Sequence, residues 1–140
     1  MIALIRIHGM IKVKENVAET LNRLRLRKKF TCVIVDEKRP EIMGMVKNVR
    51  DFVAYGDIDE KTLIEIIKAR GKVIGDSKGK IKDPEKIAKE VMAGKKLEGL
   101  GVKPFFGLHP ARGGIDSKHH FPQGVLGKHE DISKLIMKML

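Results

Sequence analysis

Three short β-rich runs separated by two segments of helical apolar spacing fill the first 56 residues, and this alternation limits the fold more than any other feature of the chain. Ile2 to Ile7 is the first run, apolar and of strand length. Val17, Leu21 and Leu24 then recur at intervals of four and three residues, so they share one helix face while Asn22, Arg23 and Arg25 reach solvent. Asn16, followed three residues later by Glu19, is expected to cap that helix. Thr31 to Val35 is the second strand. Pro40 opens the second helix, where its missing amide would be unpaired in any case. Ile42, Met45, Val46 and Val49 point inward from it, and Lys47 and Arg50 outward. Gly44 interrupts the same helix at a cost of about 1 kcal/mol, which calls for tight packing or the close approach of another backbone. Phe52 to Tyr55 supplies the third strand and Gly56 a turn. The order strand, helix, strand, helix, strand predicts an α+β module whose helices bury one face of a sheet.

Beyond residue 56 the helical spacing of Leu63, Ile64 and Ile67 predicts a helix over 60–70, capped by Asp59 and stopped by Gly71. A further helix begins at Asp83 and Pro84, turns Ile87, Ala88 and Val91 inward and ends at Gly94. Between them GDSKGK, residues 75–80, reads as an exposed turn; it lacks the spacing and the hydroxyl of a Walker loop. Val102 to Leu108 returns as an edge strand with Pro104 near its start. HPARGGIDSKHHFPQG reads as an extended surface loop that a partner orders. Ile132, Leu135, Ile136 and Met139 give a closing helix that packs on the core. Residues 1–56 are thus the expected core and 57–140 an extension packed with it.

Charge supplies the first functional constraint. The chain carries 29 Lys and Arg against 18 Asp and Glu, a formal charge of +11, which makes nucleic acid the first partner to consider and an anionic membrane face the second. No stretch approaches the roughly 20 apolar residues of a membrane span, and MIALIRIHGM has too short an apolar run for a secretory signal. The single cysteine, Cys32, lies in the apolar run TCVIV and reads as a buried small hydrophobe, in keeping with the cytosol.

The positive charge is concentrated in RLRLRKK, Arg23 to Lys29, which puts five cations into seven residues where the first helix gives way to the second strand. Its simplest reading is a solvated helix end complementing the helix dipole. Phosphate binding is favoured over that reading, with Arg23 and Arg25 as two-donor clamps and Arg27, Lys28 and Lys29 extending the contact. Arg6 is expected to point out of the sheet toward the same ligand. Phe30 fits core packing better than base stacking. With five Phe, one Tyr and no Trp, the chain suits contacts to a folded RNA by shape and backbone rather than an aromatic platform.

Catalytic and metal readings are weaker. His109, His119, His120 and His129, with Cys32, lack any recognised zinc spacing, and histidines that touch phosphate or bases are favoured instead. Neither Cys32 nor Ser117 has a triad context. Asp57, Asp59 and Glu60 read as capping and solvated carboxylates. No enzyme activity, cofactor or metal is therefore expected.

The segments ALIRIHG, LNRLRLRKKFTCVIVDE, IMGMVKNVRDFVAYGDIDEKTLIEIIKARG and PFFGLHPARGG occur in this order and together resemble the large-subunit ribosomal protein L30 family, in its long archaeal and eukaryotic form. The resemblance spans nearly the whole chain. It implies a ferredoxin-like swapped-hairpin core, β-α-β-α-β, with a helical extension, a returning strand and a C-terminal loop and helix. It also implies a non-enzymatic constituent of the cytoplasmic large ribosomal subunit, partnered by ribosomal RNA and neighbouring large-subunit proteins, with no membrane or small-molecule substrate. The family's basic helix end falls on Arg23, Arg25, Arg27 and Lys28, its glycine-bearing helix on Gly44 and Lys47, and its later RNA-contacting loop on His109, Arg112, Gly113 and Gly114. Met43 and Asn48 stand where the family often has arginine and lysine. The full expected contact set is Arg6, Arg23, Arg25, Arg27, Lys28, Lys29, Lys47, Arg50, His109, Arg112, Lys118, His119 and His120. A free regulatory RNA-binding module is the main alternative, and a small phosphate-ester hydrolase a distant one.

Overall fold

β1, Ile2–Arg6, is buried along its whole length, and the other elements are arranged around it. The computed structural model describes all residues except Ser77, which falls within the expected turn at 75–80, and Asp116, which falls within the expected surface loop. β2, Thr31–Val35, and β3, Val53–Asp57, flank β1 and run antiparallel to it. β4, Phe106–Gly107, pairs antiparallel outside β2, and β5, Gly127–His129, pairs parallel outside β3, giving the order β4-β2-β1-β3-β5. The α-helices are α1 (Glu15–Arg23), α2 (Pro40–Val49), α3 (Glu60–Arg70), α4 (Pro84–Met92) and α5 (Ile132–Met139), and a 3-10 turn covers Leu97–Leu100. This is the ferredoxin-like swapped-hairpin core with its helical extension, returning strand and C-terminal loop and helix.

Strand alternation decides which helices cover which face. Ile2 and Leu4 join Val33 and Val53 against Leu21 of α1 and Val46 and Val49 of α2. Ala3 and Ile5, with Cys32, Ala54 and Phe106, face Leu63 and Ile66 of α3, Val91 of α4 and Ile136 of α5. Both faces of the central strand are therefore covered, where the first 56 residues alone predicted one. The near-continuous apolar sequence of β1 follows from this double burial. Cys32 is fully buried, and loss of solvation pushes its thiol up to about 12, leaving it an inert hydrophobe.

Several local expectations change: the strand expected over 102–108 is confined to Phe106–Gly107, and Asp59 precedes α3 without a side-chain cap bond. α1 begins before Asn16, with Lys14 at the cap position and no side-chain cap; the Asn16 carboxamide oxygen accepts instead from the adjacent Val17 amide. Gly56 belongs to β3 rather than to a turn, because β5 and α5 close over it. A Cβ there would lie 2.7 Å from the His129 carbonyl oxygen and 3.2 Å from the Ile132 Cβ. β5 has no counterpart in the sequence pattern: Gly-Lys-His lacks a strand signature and is held by its pairing to Ala54–Gly56. Replacing Gly56 by Ala should lower stability by about 1–3 kcal/mol in denaturant unfolding, since the obstructing atom is backbone that cannot rotate away.

Candidate nucleic-acid interface

The register brings five chain segments to one end of the sheet. Arg6 closes β1 there, paired with Val53 at the start of β3; Thr31 opens β2 opposite Gly107 of β4; and Gly127 opens β5 opposite Ala54. Backbone hydrogen bonds knit the connections together. The Phe30 amide donates to the Arg6 carbonyl, the Leu108 amide to the Phe30 carbonyl, and the Ile7 and His8 amides to the Phe52 carbonyl. RLRLRKK, Arg50 and the 109–120 segment, which are far apart in sequence, consequently share this end.

Arg6 corrects the outward placement expected from the sequence. Its guanidinium is buried on the face of Ile2 and Leu4 that α1 and α2 cover. It donates to the carbonyls of Leu26 (2.7 Å), Arg27 (3.1 Å), His8 (3.0 Å) and Gly9 (3.2 Å), with the Met10 thioether sulfur at 3.0 Å. Burial lowers its pKa from the ordinary arginine value. Its hydrogen bonds are thus spent on the chain itself, and its task is to hold the loop that carries the other cations.

That loop leaves α1 through a Schellman turn. The Leu26 amide donates to the Leu21 carbonyl (2.9 Å) and the Arg25 amide to the Asn22 carbonyl (3.0 Å), while Leu21 and Leu26 share one apolar cluster. Leu24 and Leu26 therefore point inward and Arg23, Arg25 and Arg27 outward. The position glycine ordinarily fills is Arg25, with φ of 64°. A non-glycine residue held left-handed costs about 1–2 kcal/mol.

The five cations are not equivalent. Arg23 is bonded to Glu19 at 2.6 Å, one turn back along α1, and Arg25 is ion-paired with Glu98 of the extension. Lys29 lies over the Phe30 ring, 4.9 Å from its centroid, and Phe30 is half-buried against the core, as a packing role requires. Among the described residues Arg27, Lys28, Lys47, Arg50 and Arg112 are exposed and form no ion pair. The two arginines expected to clamp phosphates are thus the ones with carboxylate neighbours. Gly44 lies one turn before Lys47 on the outer side of α2, and a Cβ there would meet nothing within 4 Å. Packing within the chain does not account for it.

The described residues of the 109–126 segment fold back on themselves and on α5 rather than running extended. The His109 and Arg112 amides donate to the Met139 and Lys138 carbonyls at the end of α5, and the His109 ring lies between the Pro110 and Leu140 oxygens. Gly113 and Gly114 turn the chain in the left-handed region. The loop then closes through bonds from Val125 to Ser117 and from Leu126 to His119. His120 reaches Asp51 at 2.7 Å, joining this loop to the turn after α2. Lys118 and His119 are exposed. His129 is buried in β5 with its Nε2 on the Val125 carbonyl, and among the described residues no three His, Cys, Asp or Glu side chains converge as metal ligands. Among the described residues no helix is long and apolar enough to cross a membrane.

A basic α+β domain that carries exposed, unpaired cations such as Arg27, Lys28, Arg50 and Arg112 around one sheet end belongs to the class of proteins that present a charged surface to a large anionic partner. Comparison with known proteins gives the family. The profile described as Ribosomal protein L30p/L7e matches residues 2–53. Large ribosomal subunit protein uL30 of Archaeoglobus fulgidus is 40% identical over 99% of both chains. The protein of that name from Desulfurococcus amylolyticus is 38% identical over 99% of this chain and 97% of its own, and that from Methanococcus vannielii 35% over 99% and 98%. The chain belongs to the uL30 family of ribosomal proteins, not to a family of enzymes.

Two substitutions separate the buried arginine from an exposed one. Arg6→Met should lower stability by about 2–5 kcal/mol in denaturant unfolding, because it strands buried carbonyls, whereas Arg27→Met should change it by less than about 0.5 kcal/mol. Arg25→Gly should raise stability by about 0.5–1 kcal/mol by relieving the left-handed strain, even though it loses the exposed pair with Glu98. Arg25→Ala keeps the strain and should not gain.

Proposed function

We propose that the chain is a structural constituent of the cytoplasmic large ribosomal subunit and holds folded ribosomal RNA mainly through phosphate contacts. Residues 1–56 form the core of this reading and 57–140 the extension that adds a second contact region. The observation that carries it is the gathering of unpaired cations, Arg27, Lys28, Arg50 and Arg112, around one sheet end of a uL30-family chain. Charge-assisted bonds to phosphate position a protein on RNA without reading sequence, which suits a surface poor in exposed aromatic rings.

Two costs within the fold support the same reading. Arg25 occupies a backbone position that glycine would fill without strain, and Gly44 weakens α2 without serving any internal contact. Strain retained at a side chain facing a partner, and a glycine on an open face, both fit an approaching polyanion backbone. Arg23, Arg25 and Lys29 contribute at the margin of the contact, Lys47 beside Gly44, and Lys118, His119 and His120 from the closed loop. His109 acts by fixing that loop to α5. Neighbouring large-subunit proteins are the remaining partners.

The Arg27→Gln/Lys28→Gln double variant tests the reading. Losing two phosphate contacts should reduce the slope of log affinity against log salt by about 1.5. The variant should also wash from large subunits at lower salt than the native chain in co-sedimentation. Unchanged slope and unchanged retention would remove this cluster from the interface.

A further inference from the structure

Pro104-Phe105-Phe106 divides its two rings by strand alternation. Phe106 pairs with Cys32 in β4 and is fully buried with α3 and α5, so Phe105 turns to the other side of the sheet. On that side α1 and α2 cover the middle strands, and the β4 edge is left open. Phe105 is 43% exposed there, in the company of Pro104 and Thr31. Together they line a concavity of about 520 Å³ whose remaining wall is Arg25, Arg27 and Lys28.

A lone exposed phenylalanine is ordinary on a protein surface, but this one has specific surroundings. Of the exposed rings among the described residues, Phe121 packs against His129 with centroids 4.7 Å apart, while Phe105 has no aromatic partner. Arg25 answers to Glu98, leaving Arg27 and Lys28 as the uncompensated charges on the wall. A paired RNA helix presents phosphates to such cations and keeps its bases stacked inside. Only a base that has left its stack reaches a ring in a concavity, and any base suffices, because each has a π-face.

We propose that this concavity takes a single unpaired nucleotide of the bound RNA, with its base stacked on Phe105 and its phosphate held by Arg27 and Lys28. The assignment rests on the RNA-binding reading above and adds one structure-selective contact to it.

The test uses the full chain and two RNA hairpins that differ only in whether a 2-aminopurine is bulged or paired. Anisotropy of an end label reads affinity, and 2-aminopurine emission reads stacking. The native chain should prefer the bulged hairpin by about 5- to 150-fold and quench its emission on binding. Phe105→Ala should bring the ratio of the two affinities close to one and abolish the quench, and Phe105→Tyr should restore both. A native chain without preference, or a Phe105→Ala chain that keeps it, overturns the nucleotide site. The phosphate reading survives that result if Arg27→Gln/Lys28→Gln weakens binding to both hairpins. Failure of the native chain to bind either hairpin at low salt overturns both readings.

Discussion

The buried guanidinium of Arg6 is the interaction on which the basic surface depends. It sits at the end of the central strand and binds carbonyls from the loops on either side of α1. One planar group with five donors meets several acceptors at once, which an ammonium on a flexible stem does not reproduce. Two of its partners are the carbonyls of Leu26 and Arg27, so the backbone under the basic run is fixed from inside while the side chains of that run face outward. A cation that sequence places among RNA contacts thereby becomes the support that aims the others.

The same logic extends across the sheet end. His120 and Asp51 join the late loop to the turn after α2, the Leu108 amide ties the strand of the extension to Phe30, and the amides of His109 and Arg112 cover carbonyls that α5 would otherwise leave open. Charges drawn from three parts of the chain are held by backbone and side-chain bonds that are themselves satisfied. Such a surface meets a polyanion with its loops already placed, and less ordering entropy is lost on association.

Much of the fold was legible because its signals are local. The periodicity of Leu63, Ile64 and Ile67, the proline at the start of α2 and the β-branched run of β2 each state an element without reference to the rest. What stayed hidden depends on neighbours. Arg6 reads as outward until both faces of β1 are known to be covered. Gly56 reads as a turn until β5 and α5 are brought against it, and β5 has no local signal because its register is lent by β3. Of the candidate site, the clustering of cations was visible in the sequence, but their pairing was not: Glu98 lies 73 positions after Arg25. Phe105 carries no signal of its own in the sequence, because a strand pattern leaves open which of two adjacent phenylalanines faces the core.

The strand order β4-β2-β1-β3-β5 also bears on how the sheet comes into being. Each strand after the first adds to an outer edge of those already present in sequence, first on one side of β1 and then on the other. A chain that emerges N-terminal end first never has to part an existing pair to admit a later strand. The temporary edges of β2 and β3, which would otherwise be open to pairing with foreign chains, are closed in turn by Phe106–Gly107 and Gly127–His129 from the same molecule. The extension is in this sense a self-supplied cover for a growing sheet, delivered in the order in which the ribosome releases it.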